Sequence, residues 1–209
     1  MLRKQDLEMS RALMRSAIFA EVADVFVAGD FLWYPVQGNN KIRIAPDIMV
    51  VFGRPKGERG SYKQWEEENI APQVVFEILS PGNRPQEMMK KLLFYQNYGV
   101  EEYYVYDPDN IDFTGSIKVG ERLETIEEEE INGWVSPRLG IRFQLTTETL
   151  EIYRPDGRKF MTPVELDQLR KQEQQRADQE KLRADQQQQR ADRLAELLRE
   201  RGIDPDELL

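Results

Sequence analysis

The sequence predicts an α/β (α+β) chain: a mixed β-sheet core flanked by helices, followed by a separate charged helix at the C-terminus. Three observations carry this. Short β-branched and aromatic runs (VFVAGDFLWYP, KIRIAPDIMVVFG, PQVVFEILS and EEYYVYDP) are punctuated by Gly, Pro and Asn, the pattern of strands ended by turns. Between the last two runs lies QEMMKKLLFYQNYG, which places Met88, Leu92 and Tyr95 on one helical face with Met89 and Leu93 nearby. Lastly, all three Trp, all eight Tyr and all nine Phe fall within residues 1–163, and the remainder has none. A folded domain over 1–163 and a helical tail over 164–209 are therefore expected.

Taken in order, DLEMSRALMRSAIFAEVA (6–23) spaces Leu7, Ala12, Leu13, Ile18, Phe19 and Val22 as an amphipathic helix would. The next two runs read as a strand pair around the turn signal Gly38-Asn39-Asn40. Residues 53–71 are polar and Gly-containing, a loop with Trp65 as its one large anchor. In PQVVFEILSPGNR the strand stops at Ser80-Pro81-Gly82-Asn83. Pro85 suits the first turn of the following helix and Gly99 its C-cap. Strand, helix and strand within about 35 residues make a βαβ-like unit. FTGSIKV, ERLETIE, the Trp134 turn and IRFQLTTETLEIY form a smaller antiparallel section, and Glu127 to Glu130 a solvated acidic turn.

The tail holds three consecutive seven-residue copies, QQRADQE, KLRADQQ and QQRADRL, with Ala177, Ala184 and Ala191 on one stripe. A coiled coil needs a second apolar seam. The two choices, Glu180/Gln187/Leu194 or Lys181/Gln188/Ala195, are mostly polar, so a solvated helix is the first reading and a weak or heterotypic coiled coil the second. GIDPDELL resembles a helix stop and short cap.

Composition narrows the chemistry. The chain lacks cysteine and histidine, which excludes disulfides, thiolate nucleophiles, Cys or HExxH zinc sites, Ser-His-Asp triads and imidazole acid–base work. Hydrolysis here has to run on carboxylates, Lys, Tyr or Ser, with an oxygen-loving metal. The net charge of −9 disfavours non-specific adhesion to nucleic acid. A local basic face or a bound divalent cation reverses that field at a site. No apolar h-region follows MLRKQDLEMSR and no run approaches ~18 apolar residues, so a soluble, cytoplasmic protein without a membrane partner is expected.

One residue contradicts its surroundings. Glu77 interrupts Val74, Val75, Phe76, Ile78 and Leu79, the most apolar strand. An unpaired charge removed from water costs several kcal/mol, so Glu77 needs a proton, a cationic side chain or a metal ion. Asp47 repeats the problem at the entrance to Ile48-Met49-Val50-Val51-Phe52. Two carboxylates on neighbouring strands raise each other's pKa unless a cation lies between them. Mg²⁺ or Mn²⁺ meets that need with oxygen ligands and activates water for phosphodiester hydrolysis. Lys91, three residues after Met88 and four before Tyr95, sits at the edge of the apolar face and can snorkel back over the strand end. Lys90, about 100° around, is the solvent residue. Ser80, Asn83 and Arg84 follow Glu77 at the strand end where ligands gather, and Arg84 suits a bidentate phosphate contact. The plainer alternatives are that Asp47 bonds turn backbone, Glu77 forms a buried ion pair with Lys91 or Arg84, SPGN is only a turn, Tyr95 is core and Asp107 ends a strand.

APDIMVVFG, VVFEILSPGNR and EMMKKLLFYQNYGVEEYYVYDPD, in that order, resemble the Uma2 family of restriction endonucleases, abundant in cyanobacteria and similar to the PD-(D/E)xK nucleases. The resemblance covers roughly residues 1–163, and the charged tail is also common in the family. It implies a restriction-endonuclease-like fold and a metal-dependent endonuclease acting on DNA. Carried over by residue, Asp47 is the PD aspartate and Glu77 the second metal carboxylate. Leu79 stands where the superfamily has lysine, and Lys91 matches the family's K-x-x-F-Y spacing on the next helix. Glu8 or Glu21 would supply the first-helix acid. The alternative is a catalytically weak or inactive nuclease-fold protein that binds or assembles through its tail, with another protein or as a homo-oligomer; Leu79, the acidic charge and the heptads favour it.

Overall fold

Val74–Ile78 is buried on both faces at every position, which fixes it as the centre of the sheet. The computed structural model describes residues 24–80, 82, 84–161 and 163–201. The helix expected over 6–23, Asn83 and the GIDPDELL cap lie outside the described residues. The chain divides into two compact units, Met1–Thr162 and Pro163–Leu209.

In the first unit the strands are β1 (Val25–Ala28), β2 (Trp33–Tyr34), β3 (Ile48–Phe52), β4 (Tyr62–Lys63), β5 (Val74–Ile78), β6 (Glu102–Asp107), β7 (Asp112–Val119), β8 (Arg122–Thr125), β9 (Arg142–Leu145) and β10 (Leu150–Tyr153). Helix α1 spans Pro85–Asn97 and the single turn α2 Glu128–Ile131. Six strands form one mixed sheet in the order β1-β3-β5-β6-β7-β8. Only β5 and β6 run parallel in it, and α1 connects them, as a parallel pair requires. The fold class read from the sequence is therefore the one observed.

α1 begins on Pro85, whose missing N–H costs nothing in a first turn, with Arg84 extended before it. Gly99 follows at φ +98, a conformation that side chains rarely adopt and that lets the chain turn into β6. The two faces of the sheet carry separate cores. Val25, Ile48, Val50, Val74, Phe76 and Tyr104 pack with Phe143, Ile152 and Phe160 on one side. Phe26, Met49, Val51, Val75 and Tyr103 pack with Trp33, Tyr62 and Tyr95 on the other, beneath α1. Period-2 alternation along β5 puts Glu77 on this second face with Val75.

Three expectations change in detail. β1 pairs with β3, but the chain between them does not close as a tight hairpin. Trp33 bridges to Ile44, then β2 leaves to pair in parallel with β4. That short ladder belongs to the stretch read as a loop, and its anchor is Tyr62 rather than the half-buried Trp65. Tyr62 buries its ring fully because its hydroxyl reaches the Ile70 carbonyl at 2.7 Å, and Arg54 and Arg59 both close on Glu67 around it. β7 and β8 extend the main sheet instead of forming a separate section, since β7 registers with β6 from Glu102↔Ile117 to Asp107↔Asp112. The acidic run forms the turn α2. Only β9 and β10 make a small antiparallel sheet of their own there.

A second buried carboxylate, Glu102, fastens the segment before β9 to β6. It accepts hydrogen bonds from the Ser136 hydroxyl, the Arg138 N–H at 2.7 Å and the Tyr104 hydroxyl at 3.0 Å. Burial pushes its carboxyl up, against those three donors. Glu102→Ala strands the donors, and a loss of about 2–4 kcal/mol is expected by urea denaturation.

The second unit is a helix, α3 (Pro163–Glu200), of 38 residues and about 57 Å. Its side chains are almost all exposed, Leu182 and Leu194 included. Asp167–Lys171, Gln174–Asp178 and Gln188–Asp192 pair at i,i+4 along it, the support a solvated helix uses. No helix among the described residues is long and apolar enough to cross a membrane.

Candidate active site

β3 and β5 are antiparallel with Ile48 opposite Phe76, so one further step brings Asp47 opposite Glu77 on the α1 face. Buried Pro46 fixes the chain before Asp47, which is itself half-buried. Asp47 then takes the place of a backbone acceptor: its Oδ2 accepts the Ile78 N–H at 2.7 Å. This ties the aspartate to the strand that carries Glu77. The β1 end lies alongside, with the Asp30 N–H donating to the Pro46 carbonyl at 3.1 Å.

Glu77 is 2% exposed and satisfied at both oxygens by α1. Lys91 Nζ donates to Oε2 at 2.8 Å, and the Tyr95 hydroxyl donates a short hydrogen bond to Oε1. Lys91 and Tyr95 stand four residues apart, one turn of the same helix face. They differ in freedom. Tyr95 is fully buried, with its ring parallel to Trp33 at 6.4 Å and tilted against Tyr103 at 5.1 Å. Lys91 keeps 20% of its side chain exposed.

The charges are balanced against burial. Desolvation pushes the Glu77 carboxyl up to about 7; Lys91 and then Tyr95 pull it down, and the Asp47 charge pushes it further up. Near neutrality this carboxyl therefore exchanges a proton readily. Burial and the Glu77 charge hold the Tyr95 phenol well above its ordinary value, so it stays a donor.

The structure thus brings Asp47, Glu77 and Lys91 together, and Lys91 rather than Arg84 is the cation beside Glu77. Of the other candidates among the described residues, Ser80 and Arg84 are exposed, and Lys90 faces solvent. Asn83, Glu8 and Glu21 lie outside the described residues. Leu79 extends the strand, its N–H bonding to the Tyr106 carbonyl at 2.8 Å. Asp107 ends β6 by accepting the Asp109 and Asn110 N–H groups at 2.9 and 3.2 Å. Tyr95 is core, as its spacing suggests. The contact its hydroxyl makes with Glu77 had no sequence signal beyond a tyrosine one turn after a snorkelling lysine.

The donor chemistry fits a hard divalent ion: two carboxylates from adjacent strands, no sulfur or imidazole, and a lysine at hand. Two carboxylates leave most of an octahedral shell to water, which Mg²⁺ tolerates. Among the described residues no group of three or more acidic, His or Cys side chains is gathered to hold a metal.

Residues 7–177 match the sequence profile of the family described as "Uma2: Putative restriction endonuclease". The chain belongs to the Uma2 family. The match spans the sheet unit and continues into α3. A similar solved structure is that described as a putative nuclease belonging to DUF820 from Anabaena variabilis ATCC 29413, at 16% identity and a TM-score of 0.45, with 64% of this chain and 74% of that chain covered. No curated protein matched the chain.

Proposed function

We propose that this Uma2 protein is a metal-dependent endonuclease that hydrolyses phosphodiester bonds in DNA, with residues 1–163 as the nuclease domain and 164–209 as an accessory helix. The convergence of Asp47, Glu77 and Lys91 at one sheet end carries the reading, and membership of a restriction endonuclease family supports it.

Asp47 and Glu77 would hold Mg²⁺ or Mn²⁺, which when bound lowers the pKa of a water and polarises a phosphoryl oxygen. The remaining steps belong to the chain. Tyr95, locked in the core, keeps Glu77 Oε1 in place. Lys91 is the partner freer to move, because its side chain keeps 20% exposure while Tyr95 is fully buried. Turning from Glu77, it would leave that carboxylate available to an ion and direct its own ammonium at the attacking water or the scissile phosphate, where negative charge develops. Exposed Arg84 and Ser80, with Asn83, follow β5 and are the candidates to grip the phosphate backbone.

Calorimetry with Mg²⁺ and Mn²⁺ on wild type and Glu77→Gln tests the cage, and cleavage of supercoiled DNA tests the chemistry. Wild-type binding and nicking, both lost in Glu77→Gln, are expected. The second reading is a nuclease-fold binding or assembly protein. It is favoured by the closure of both Glu77 oxygens on Lys91 and Tyr95, a carboxylate complete without metal. Wild type that binds neither ion, with or without DNA, would establish that reading; light scattering on the full chain would then read self-association through α3.

A further inference from the structure

Tyr103 lies on β6 opposite Val75 of β5, two residues short of the Glu77 level, on the face beneath α1. Its ring packs against Tyr95, whose hydroxyl rests on Glu77. The side chain is 4% exposed, and its hydroxyl has no hydrogen-bond partner among the described residues. The two other fully buried tyrosines of this face each spend their hydroxyl: Tyr95 on Glu77 and Tyr62 on the Ile70 carbonyl. Burial drives the Tyr103 phenol far up, and the next contributions come from the Glu77 and Asp47 charges, so the hydroxyl lies within reach of their field.

A buried hydroxyl without a partner is costly, and native proteins almost always satisfy such groups with protein or ordered water. An ordered water needs two to four polar partners of its own, and the carboxylates whose charges act on this hydroxyl are those of Glu77 and Asp47. We infer that Tyr103 is a positioning residue of the Asp47–Glu77 site, its hydroxyl hydrogen-bonding an ordered water that those carboxylates share. The inference deepens the metal-site reading and rests on it for the consequence, because a group that orients ligands or their waters from one layer out commonly alters metal affinity by ~10–100-fold. A phenol also suits the task chemically. It stays protonated at every working pH, donates to the water, and adds no charge to a site that already holds two carboxylates.

Tyr103→Phe keeps the ring against Tyr95 and removes only the hydroxyl. The first arm uses the full chain without metal: the ultraviolet resonance Raman difference between wild type and Tyr103→Phe isolates this phenol from the other seven tyrosines. A hydrogen-bonded phenol doublet is expected. A free-phenol doublet, accompanied by a higher melting temperature for the variant, would overturn the inference, since it would mean that the substitution merely removed an unsatisfied group. The second arm is Mn²⁺ affinity by calorimetry, expected to weaken about tenfold in Tyr103→Phe with near-ultraviolet dichroism unchanged. Equal affinity in the two proteins would overturn the positioning role. If wild type binds no Mn²⁺, the metal-site reading and the role toward the ion fall together, while the Raman arm still decides the water.

Discussion

Lys91→Met is expected to lower the proposed DNA cleavage by about 10²–10³, with the sheet and α1 intact. Two losses act at once. The ammonium 2.8 Å from Glu77 is removed from the place where a phosphorane would need it. Glu77 is also left with Tyr95 as its only donor among the described residues, and Lys91 is the largest influence holding its carboxyl down against burial. Without that cation the carboxyl is pushed further up and holds its proton more firmly, so the proposed metal carboxylate would be lost together with the cation. Lys91→Arg separates the two effects. A guanidinium restores the charge and returns Glu77 toward its ionised form, but its planar fork cannot place a point charge as an ammonium does. Mn²⁺ binding is therefore expected to recover in Lys91→Arg while single-turnover cleavage of plasmid DNA stays low. Cleavage by Lys91→Met at the wild-type rate would remove Lys91 from the chemistry.

That prediction rests on residues the sequence already exposed, and the reason is physical. A central strand buried on both faces reads as a continuous apolar run, so a carboxylate within it stands out. Glu77 was legible for that reason, Asp47 because the preceding run repeats the pattern, and Lys91 because helical period places it at the edge of the apolar face, able to snorkel over the strand end. Pro85 and Gly99 bracketed α1 for local backbone reasons that need no tertiary knowledge. What stayed hidden depends on partners distant in sequence. Glu102 sits in EEYYVYDP beside the partly exposed Glu101, and its donors Ser136 and Arg138 come from a turn that only the fold brings near. Tyr62 outranks Trp65 as an anchor because one carbonyl, that of Ile70, lies where its hydroxyl ends. β7 and β8 read as part of a smaller antiparallel section, but nothing local says that they join the β6 edge. Tyr95 and Tyr103 both pattern as core; which hydroxyl has a partner is a property of packing.

Glu77 makes the metal-free protein more stable in mild acid than at neutral pH. Its folded-state carboxyl lies near 7, above the ordinary 4.5 expected once unfolded. Below 4.5 both states hold the proton and the contribution is complete. As pH rises from 4.5 to 7 the unfolded chain releases its proton first, so the folded state loses ground; above 7 the contribution is gone. The shift corresponds to about 3 kcal/mol across that window. Glu102, also pushed up by burial, acts in the same direction. Glu67, Asp107 and Asp156, held below their ordinary values, act oppositely, but their stabilisation is lost only as pH falls beneath the window. Urea denaturation at about pH 5 and about pH 8 is expected to show wild type weaker at the higher value, with the difference shrinking in Glu77→Gln, whose amide does not titrate. An equal difference in both proteins would mean that Glu77 keeps its charge in the fold at little cost. Repeating the measurement with Mg²⁺ connects stability to function. An ion bound to the ionised carboxylates favours the folded state where Glu77 has lost its proton, so Mg²⁺ should raise stability at about pH 8 more than at about pH 5. A wild-type pH difference that ignores Mg²⁺ would leave Lys91 as the only cation this glutamate has.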